Sequence, residues 1–122
     1  DYTVLENILM PARIARENLS IKEANNLLAL VNLGDFATRP AKHLSGGEKQ
    51  RVAIARALCN NPDIILADEP SGNLDEKNAQ NIHKLLLYLA KDLGKALIIV
   101  THNQDLAKLC DKIFNLENGV FI

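Results

Sequence analysis

Two stretches of this chain carry residue types that can work on a phosphate. Leu44-Ser45-Gly46-Gly47-Glu48-Lys49-Gln50-Arg51 sets a serine and two glycines ahead of a helix-forming run. Ile64-Ile65-Leu66-Ala67-Asp68-Glu69-Pro70 is an apolar run that ends in two adjacent acids. Glycines at a helix start let backbone N–H groups approach an anion closely, Ser45 can donate its hydroxyl, and the helix dipole favours negative charge there. Asp68 is placed to hold Mg²⁺, directly or through a water, and Glu69 to orient or deprotonate a water. Two carboxylates this close repel, and a bound cation lets both stay ionised. Taken alone, each stretch has a plainer reading. Ser-Gly-Gly is a common N-cap, and Asp-Glu-Pro an ordinary exposed turn.

Further candidates lie downstream. His102 follows the apolar run Ala96–Val100 and can donate a hydrogen bond to a terminal phosphate oxygen, although a histidine at a strand end is more often structural or solvent-facing. Ser71-Gly72-Asn73-Leu74-Asp75 reads as a turn plus the N-cap of a long helix, and can double as a contact surface. His43 and His83 have no comparable placement and are assigned no role. A phosphate-cradling G-x-x-x-x-G-K-[ST] loop is absent from the 122 residues. The one Gly-Lys pair, Gly94-Lys95, is followed by Ala96 and has Leu89 where the earlier glycine belongs.

The elements that must position these groups fall into two halves. Residues 1–60 are helix-patterned, and residues 61–122 alternate strand and helix. Thr3 to Leu9 reads as a short helix with a Thr3/Glu6 capping box, stopped by Pro11. Ser20 and Glu23 form a second box, and Ala24, Leu27, Leu28 and Val31 then share one face until Gly34 ends the element. Glu48 to Cys59 is a third helix, closed by Asn60-Asn61-Pro62. Ile64–Ala67 and Ala96–Val100 are continuous apolar runs, expected as interior strands of a parallel sheet covered on both faces. Between them Asp75–Leu93 is amphipathic, with Ile82, Leu85, Leu86, Leu89 and Leu93 on one stripe. A short helix over Gln104–Cys110, a third strand over Lys112–Leu116 and a tight turn at Asn118-Gly119 complete the reading. In parallel sheets, the loops leaving the carboxyl ends of strands gather at one edge. If the two strands are neighbours, Asp68-Glu69 and Thr101-His102 share one crevice.

Composition narrows the function. The chain is 48% hydrophobic and 24% charged with a net charge of -1, so it has no basic footprint for nucleic acid. Trp is absent and aromatics are 4%, which disfavours base-stacking platforms. No apolar run approaches the roughly 20 residues needed to span a bilayer. Cys59 and Cys110, outside any C-x-x-C pattern, read as reduced structural thiols. The chain opens on Asp1 rather than Met, which suggests processing or truncation.

The order of these motifs says more than any one of them. Leu-Ser-Gly-Gly-Glu, an apolar strand ending Asp-Glu-Pro, Ser-Gly-Asn-Leu-Asp and Val100-Thr101-His102 follow one another as in the nucleotide-binding domain of ABC (ATP-binding cassette) ATPases, which the chain resembles over nearly its whole length. Asp68 to Asp75, with the opening Thr3 to Pro11, is most similar to the branch of lipoprotein-releasing, macrolide-exporter-type and cell-division ATPases, and the lipoprotein-releasing type is favoured. The resemblance implies an α/β fold: a partial P-loop NTPase fold with a mainly parallel sheet, plus an all-α helical subdomain over 1–60 carrying the signature motif.

It also implies roles. Leu44 to Gln50, including Ser45, Gly46, Gly47, Glu48 and Gln50, would be the signature that meets ATP held by the opposite subunit. Asp68 would serve Mg²⁺, Glu69 would polarise the attacking water, and His102 would be the switch histidine. Ser71 to Asp75 would form the loop that crosses the dimer interface. Asn103 stands where many relatives carry aspartate. The implied partners are a second ATPase subunit and transmembrane permease subunits, with no nucleic acid, at the cytoplasmic face of a bacterial inner membrane. The family's P-loop, its lysine, the adenine-stacking aromatic and the Q-loop glutamine would all precede Asp1. Without them the chain alone should be inactive, and its exposed sheet edge should favour self-association. Other readings are a non-transport ABC protein of DNA repair or translation, and a catalytically silent module that docks a membrane partner.

Overall fold

The computed structural model describes residues 2–15 and 18–122. Helix α1 (Val4–Ile14) starts as its sequence dictates: the Thr3 hydroxyl accepts from the Glu6 amide, and the Glu6 carboxylate returns the bond to the Thr3 amide. Two of the first-turn amides, which have no intrahelical acceptor, find the loop before the signature stretch. Val4 N–H donates to the Arg39 carbonyl and Leu5 N–H to that of Ala37. Pro11 does not stop the helix, contrary to expectation; it lies inside. Proline forfeits one backbone bond there, but Ala12 just beyond it is buried, and Ala15 N–H still closes on the Pro11 carbonyl.

Helix α2 (Ile21–Leu30) is capped by the Ser20 hydroxyl alone; the return arm of the box seen at Thr3 is missing. Its end corrects a second expectation. Asn32, not Gly34, takes the left-handed conformation, with φ of 66°. Leu33 N–H donates to the Leu28 carbonyl at 2.7 Å and Asn32 N–H to that of Ala29 at 3.0 Å, the paired bonds of a Schellman cap. The Arg51 guanidinium donates to the Val31 carbonyl and satisfies another orphan acceptor. A 3₁₀ turn (Ala41–His43) leads into α3 (Gly46–Leu58).

Strand β1 (Ile64–Asp68), helix α4 (Glu76–Lys91) and strand β2 (Ala96–Val100) form the expected parallel crossover. The register pairs Ile64 with Ala96 and Asp68 with Val100. Gly94, at φ of 66°, reverses the chain after α4, and Leu93 lies beyond the helix, partly exposed. Ile65 joins one apolar cluster with α1, α2, α3, α4 and Leu106 of α5 (Gln104–Leu109), while Leu97 and Ile99 pack against it.

The opposite sheet face is bare. Leu66 is 75% and Ile98 58% exposed, with Ile64 and Val100 beside them. Both strands were expected to be covered on two faces; α4 and the helices before it cover only one.

The expected strand over Lys112–Leu116 is absent too. A strand persists only where a neighbour takes its backbone groups, and here the partner is local. Leu116–Glu117 (β3) pairs antiparallel with Val120–Phe121 (β4). The turn between them has φ of 51° at Asn118 and 79° at Gly119, both positive as an Asn-Gly hairpin turn requires.

Candidate functional site

The carboxyl ends of β1 and β2 lie side by side because the strands are parallel and in register, so residues 68–69 and 101–102 meet. Glu69 N–H donates to the Val100 carbonyl at 2.7 Å. The Thr101 hydroxyl donates to Glu69 Oε2 at 3.1 Å, and the His102 amide to Glu69 Oε1 at 2.6 Å. His102 Nε2 lies 3.9 Å from Glu69 Oε1 on a side chain fully exposed to solvent. The Glu69 backbone has φ of 45°, a conformation sparsely populated outside glycine. Gly72 closes the turn behind it, its amide donating to the Glu69 carbonyl at 3.1 Å. A Cβ at position 72 would come within 3.4 Å of the Glu69 Cβ and carbonyl oxygen.

Asp68 differs from its neighbour. It is exposed and, by strand alternation, shares the bare face with Leu66. Its carboxylate enters no ion pair with another described side chain. A free hard-oxygen donor of this kind suits Mg²⁺. Among the described residues no cluster of three or more His, Cys, Asp or Glu gathers. A Mg²⁺ here would therefore draw most of its ligands from water and phosphate, as that ion commonly does.

The second group assembles around two helix N-termini. Ser45 caps α3 with a full box: its hydroxyl accepts from the Glu48 amide, and the Glu48 carboxylate accepts from the Ser45 amide. Helix α3 therefore starts at Gly46 rather than at Glu48, and the Gly46 and Gly47 amides lead its positive end. Gly47 is short of space as well, whereas Gly46 has room for ordinary contact. A Cβ on Gly47 would lie 3.0 Å from Asn78 Oδ1, and one on Gly46 3.5 Å from Leu74 Cδ2. The start of α3 is thus pressed against the loop that opens α4. Asp75 caps α4 by accepting from the Asn78 amide at 2.8 Å. Gln50 lies half-buried one turn into α3.

Ser71 is placed inward. Its hydroxyl shares a 2.7 Å hydrogen bond with His83 Nε2, and both residues are buried. The sequence offered no sign of that pairing, since His83 looked like any polar residue on α4. Thr101 as a partner of Glu69 and Asn78 as the neighbour of Gly47 also went unassigned. Cys59 and Cys110 are not joined in a disulfide, and the Cys110 Sγ donates to the Leu106 carbonyl.

Comparison with known proteins decides the family. The ABC transporter family model matches residues 1–72, more than half of the chain. The chain belongs to the ABC transporter family. The lipoprotein-releasing system ATP-binding protein LolD of Protochlamydia amoebophila is 52% identical over 124 residues, covering 98% of this chain and 54% of that protein. LolD of Bacteroides thetaiotaomicron is 48% identical, covering 98% and 56%. Among solved structures, the ATP-binding cassette MJ0796, described as a dimer in a post-hydrolysis state bound to ADP and Pi, superposes with a TM-score of 0.81 at 41% identity, covering 96% of this chain and 53% of that one. The cassette MJ1267 in its ADP conformation gives 0.87 at 29% identity, covering 98% and 53%. The chain thus spans about half the length of the curated relatives it matches. The partial P-loop NTPase fold expected from the ABC resemblance is the fold of these cassettes. Among the described residues no helix is long and apolar enough to cross a membrane.

Proposed function

We propose that this chain carries the signature, acid-pair and switch-histidine part of an ABC ATP-binding subunit that, at full length, hydrolyses ATP to drive a membrane complex, with lipoprotein release as the transport step. The observation that carries the reading is Glu69. Its backbone is held in a strained conformation beside Asp68, and its carboxylate is fixed by Thr101 and His102, which directly follow the neighbouring strand. A carboxylate oriented by two donors is a fixed acceptor for a water proton.

Asp68 would hold Mg²⁺, and the ion, when bound, neutralises charge building on phosphate oxygens. His102, exposed next to Glu69, would reach a phosphate. Ser45 with the amides of Gly46 and Gly47 would meet ATP bound by a second subunit, and Glu48 would fix Ser45 through the capping box. Gln50 on α3 and Asp75 at the α4 cap would flank that contact, with Ser71 holding the loop between them. The partners are then a second copy of the subunit and transmembrane permease subunits, at the cytoplasmic face of an inner membrane. Residues 1–60 would serve as the helical subdomain and 61–122 as part of the ATPase core. The lipoprotein assignment is supported by the LolD relatives at about half identity.

The test is turnover. In a full-length subunit carrying this sequence, Glu69→Gln lowers kcat by roughly 10²- to 10⁴-fold, the usual contribution of a positioned base, while ATP still binds. Retained turnover in that variant would remove Glu69 from its role. The 122-residue chain alone shows no ATP turnover, because catalysis of phosphoryl transfer is mostly positioning and the phosphate-cradling loop is not in it. Magnesium-dependent turnover by the chain alone, abolished by Glu69→Gln, would overturn that expectation.

A further inference from the structure

Among the described residues, Ser71 and His83 are the two buried polar side chains, at 6% and 5% exposure, and they are bonded to each other. Buried polar groups cost stability unless paired, so the pair must be kept together or lost together. Its position gives it more than a packing role. Ser71 is the second residue after Glu69, inside the turn closed by Gly72 N–H on the Glu69 carbonyl. His83 lies two turns into α4, fixed by an apolar face that includes Ile82 and Leu86. The bond therefore ties the turn that carries Glu69 to a rigid element. A non-glycine residue with φ near 45° keeps that conformation only where its surroundings over-determine it. Glu69 is pinned at its amide by Val100 and at its carbonyl by Gly72; the Ser71–His83 bond fixes where that turn sits against the helix.

We propose that His83 is a positioning residue: through Ser71 it holds the Glu69–Gly72 turn, and thereby keeps the Glu69 carboxylate against Thr101 and His102 and the Ser71–Asp75 loop against the start of α3. Its catalytic consequence rests on the reading of Glu69 given above; its structural part does not. Burial lowers the His83 pKa, with Asp105 of α5 opposing, which favours the neutral ring over the charged one. The other groups facing this region line the cleft of about 310 Å³ between α4, β2 and α5: Lys91, Lys95 and Asp111.

Three variants test it: His83→Gln, which can still reach Ser71; His83→Leu, which fills similar space without a hydrogen bond; and Ser71→Ala. In the 122-residue chain, amide hydrogen exchange at Gly72 and His102 reports the turn directly. His83→Leu and Ser71→Ala speed exchange at both amides about tenfold or more, while α1 and α3 are unchanged and His83→Gln stays near the wild type. In the full-length subunit the same two variants lower kcat ten- to a hundredfold with KM for ATP within twofold, and the double variant is no worse than either single one. Wild-type exchange in His83→Leu overturns the proposal, and so does a loss in His83→Gln as deep as in His83→Leu, since both mark plain packing. Should His83→Leu fail to fold, Ser71→Ala against His83→Gln carries the same comparison. Changed exchange together with full turnover in Glu69→Gln leaves the anchor standing and removes the catalytic reading instead.

Discussion

The fold resists protonation of His83. Its pKa lies below the ordinary 6.5, chiefly through burial and against the pull of Asp105. The unfolded chain therefore binds a proton there more readily than the folded one. Stability from this group is complete above pH 6.5 and is lost as pH falls below that toward the depressed folded value, with a slope of at most about 1.4 kcal/mol per pH unit. Urea unfolding of wild type and His83→Leu between pH 5 and 7.5 checks this: the variant removes one proton's worth of slope in that window. A second prediction at this scale concerns Asp75. Its carboxylate caps α4, so Asp75→Ala lowers stability by about 1 kcal/mol in urea unfolding. The meeting of residues 68–69 with 101–102 was legible in the sequence, because two apolar runs joined by one amphipathic helix bring strand ends together. The Ser71–His83 bond was not. It depends on how α4 is rotated against the preceding turn, and helical periodicity alone does not fix that rotation to one residue.

At the level of elements, starts were read more faithfully than stops. Thr3, Asp75 and Ser45 each cap a helix, since a hydroxyl or carboxylate three residues before an orphan amide makes a local bond that needs nothing else. Even so, the third helix was expected to open at Glu48, although its box begins at Ser45. Stops depend on what comes next in space. Gly34 looked like the end of α2, yet Asn32 turns the chain, and Leu33 directly after it is buried. The cap makes a clear comparison. Asn32→Gly removes the steric penalty of the left-handed conformation and leaves stability unchanged or slightly raised. Asn32→Ala pays that penalty and lowers stability by about 1 kcal/mol. Thermal or urea unfolding of the pair, with α2 helicity followed by circular dichroism, reads the difference. Equal stabilities for the two variants would mean the Schellman bonds do not set this end.

For the whole molecule, the decisive feature is the uneven covering of the sheet. Continuous apolar runs at Ile64–Ala67 and Ala96–Val100 indicated burial on both sides, and sequence pattern cannot tell which layer supplies each cover. Helix α4 and the core behind it cover Ile65, Leu97 and Ile99; Ile64, Leu66, Ile98 and Val100 face outward, and among the described residues the sheet has two strands. Contiguous exposed side chains of this kind, next to strands with open backbone edges, favour pairing with another surface. The 122-residue chain should therefore self-associate. In sedimentation velocity its weight-average mass rises above 13.5 kDa as concentration increases. Because the driving force is apolar burial, sulfate strengthens the association, whereas a contact between charges would weaken with salt. Leu66→Lys with Ile98→Lys places two charges at paired register positions on that face and holds the chain at monomer mass, with its circular dichroism spectrum unchanged because neither side chain joins the core. A wild-type chain that stays at 13.5 kDa throughout, with or without sulfate, would show that the exposed face does not drive association.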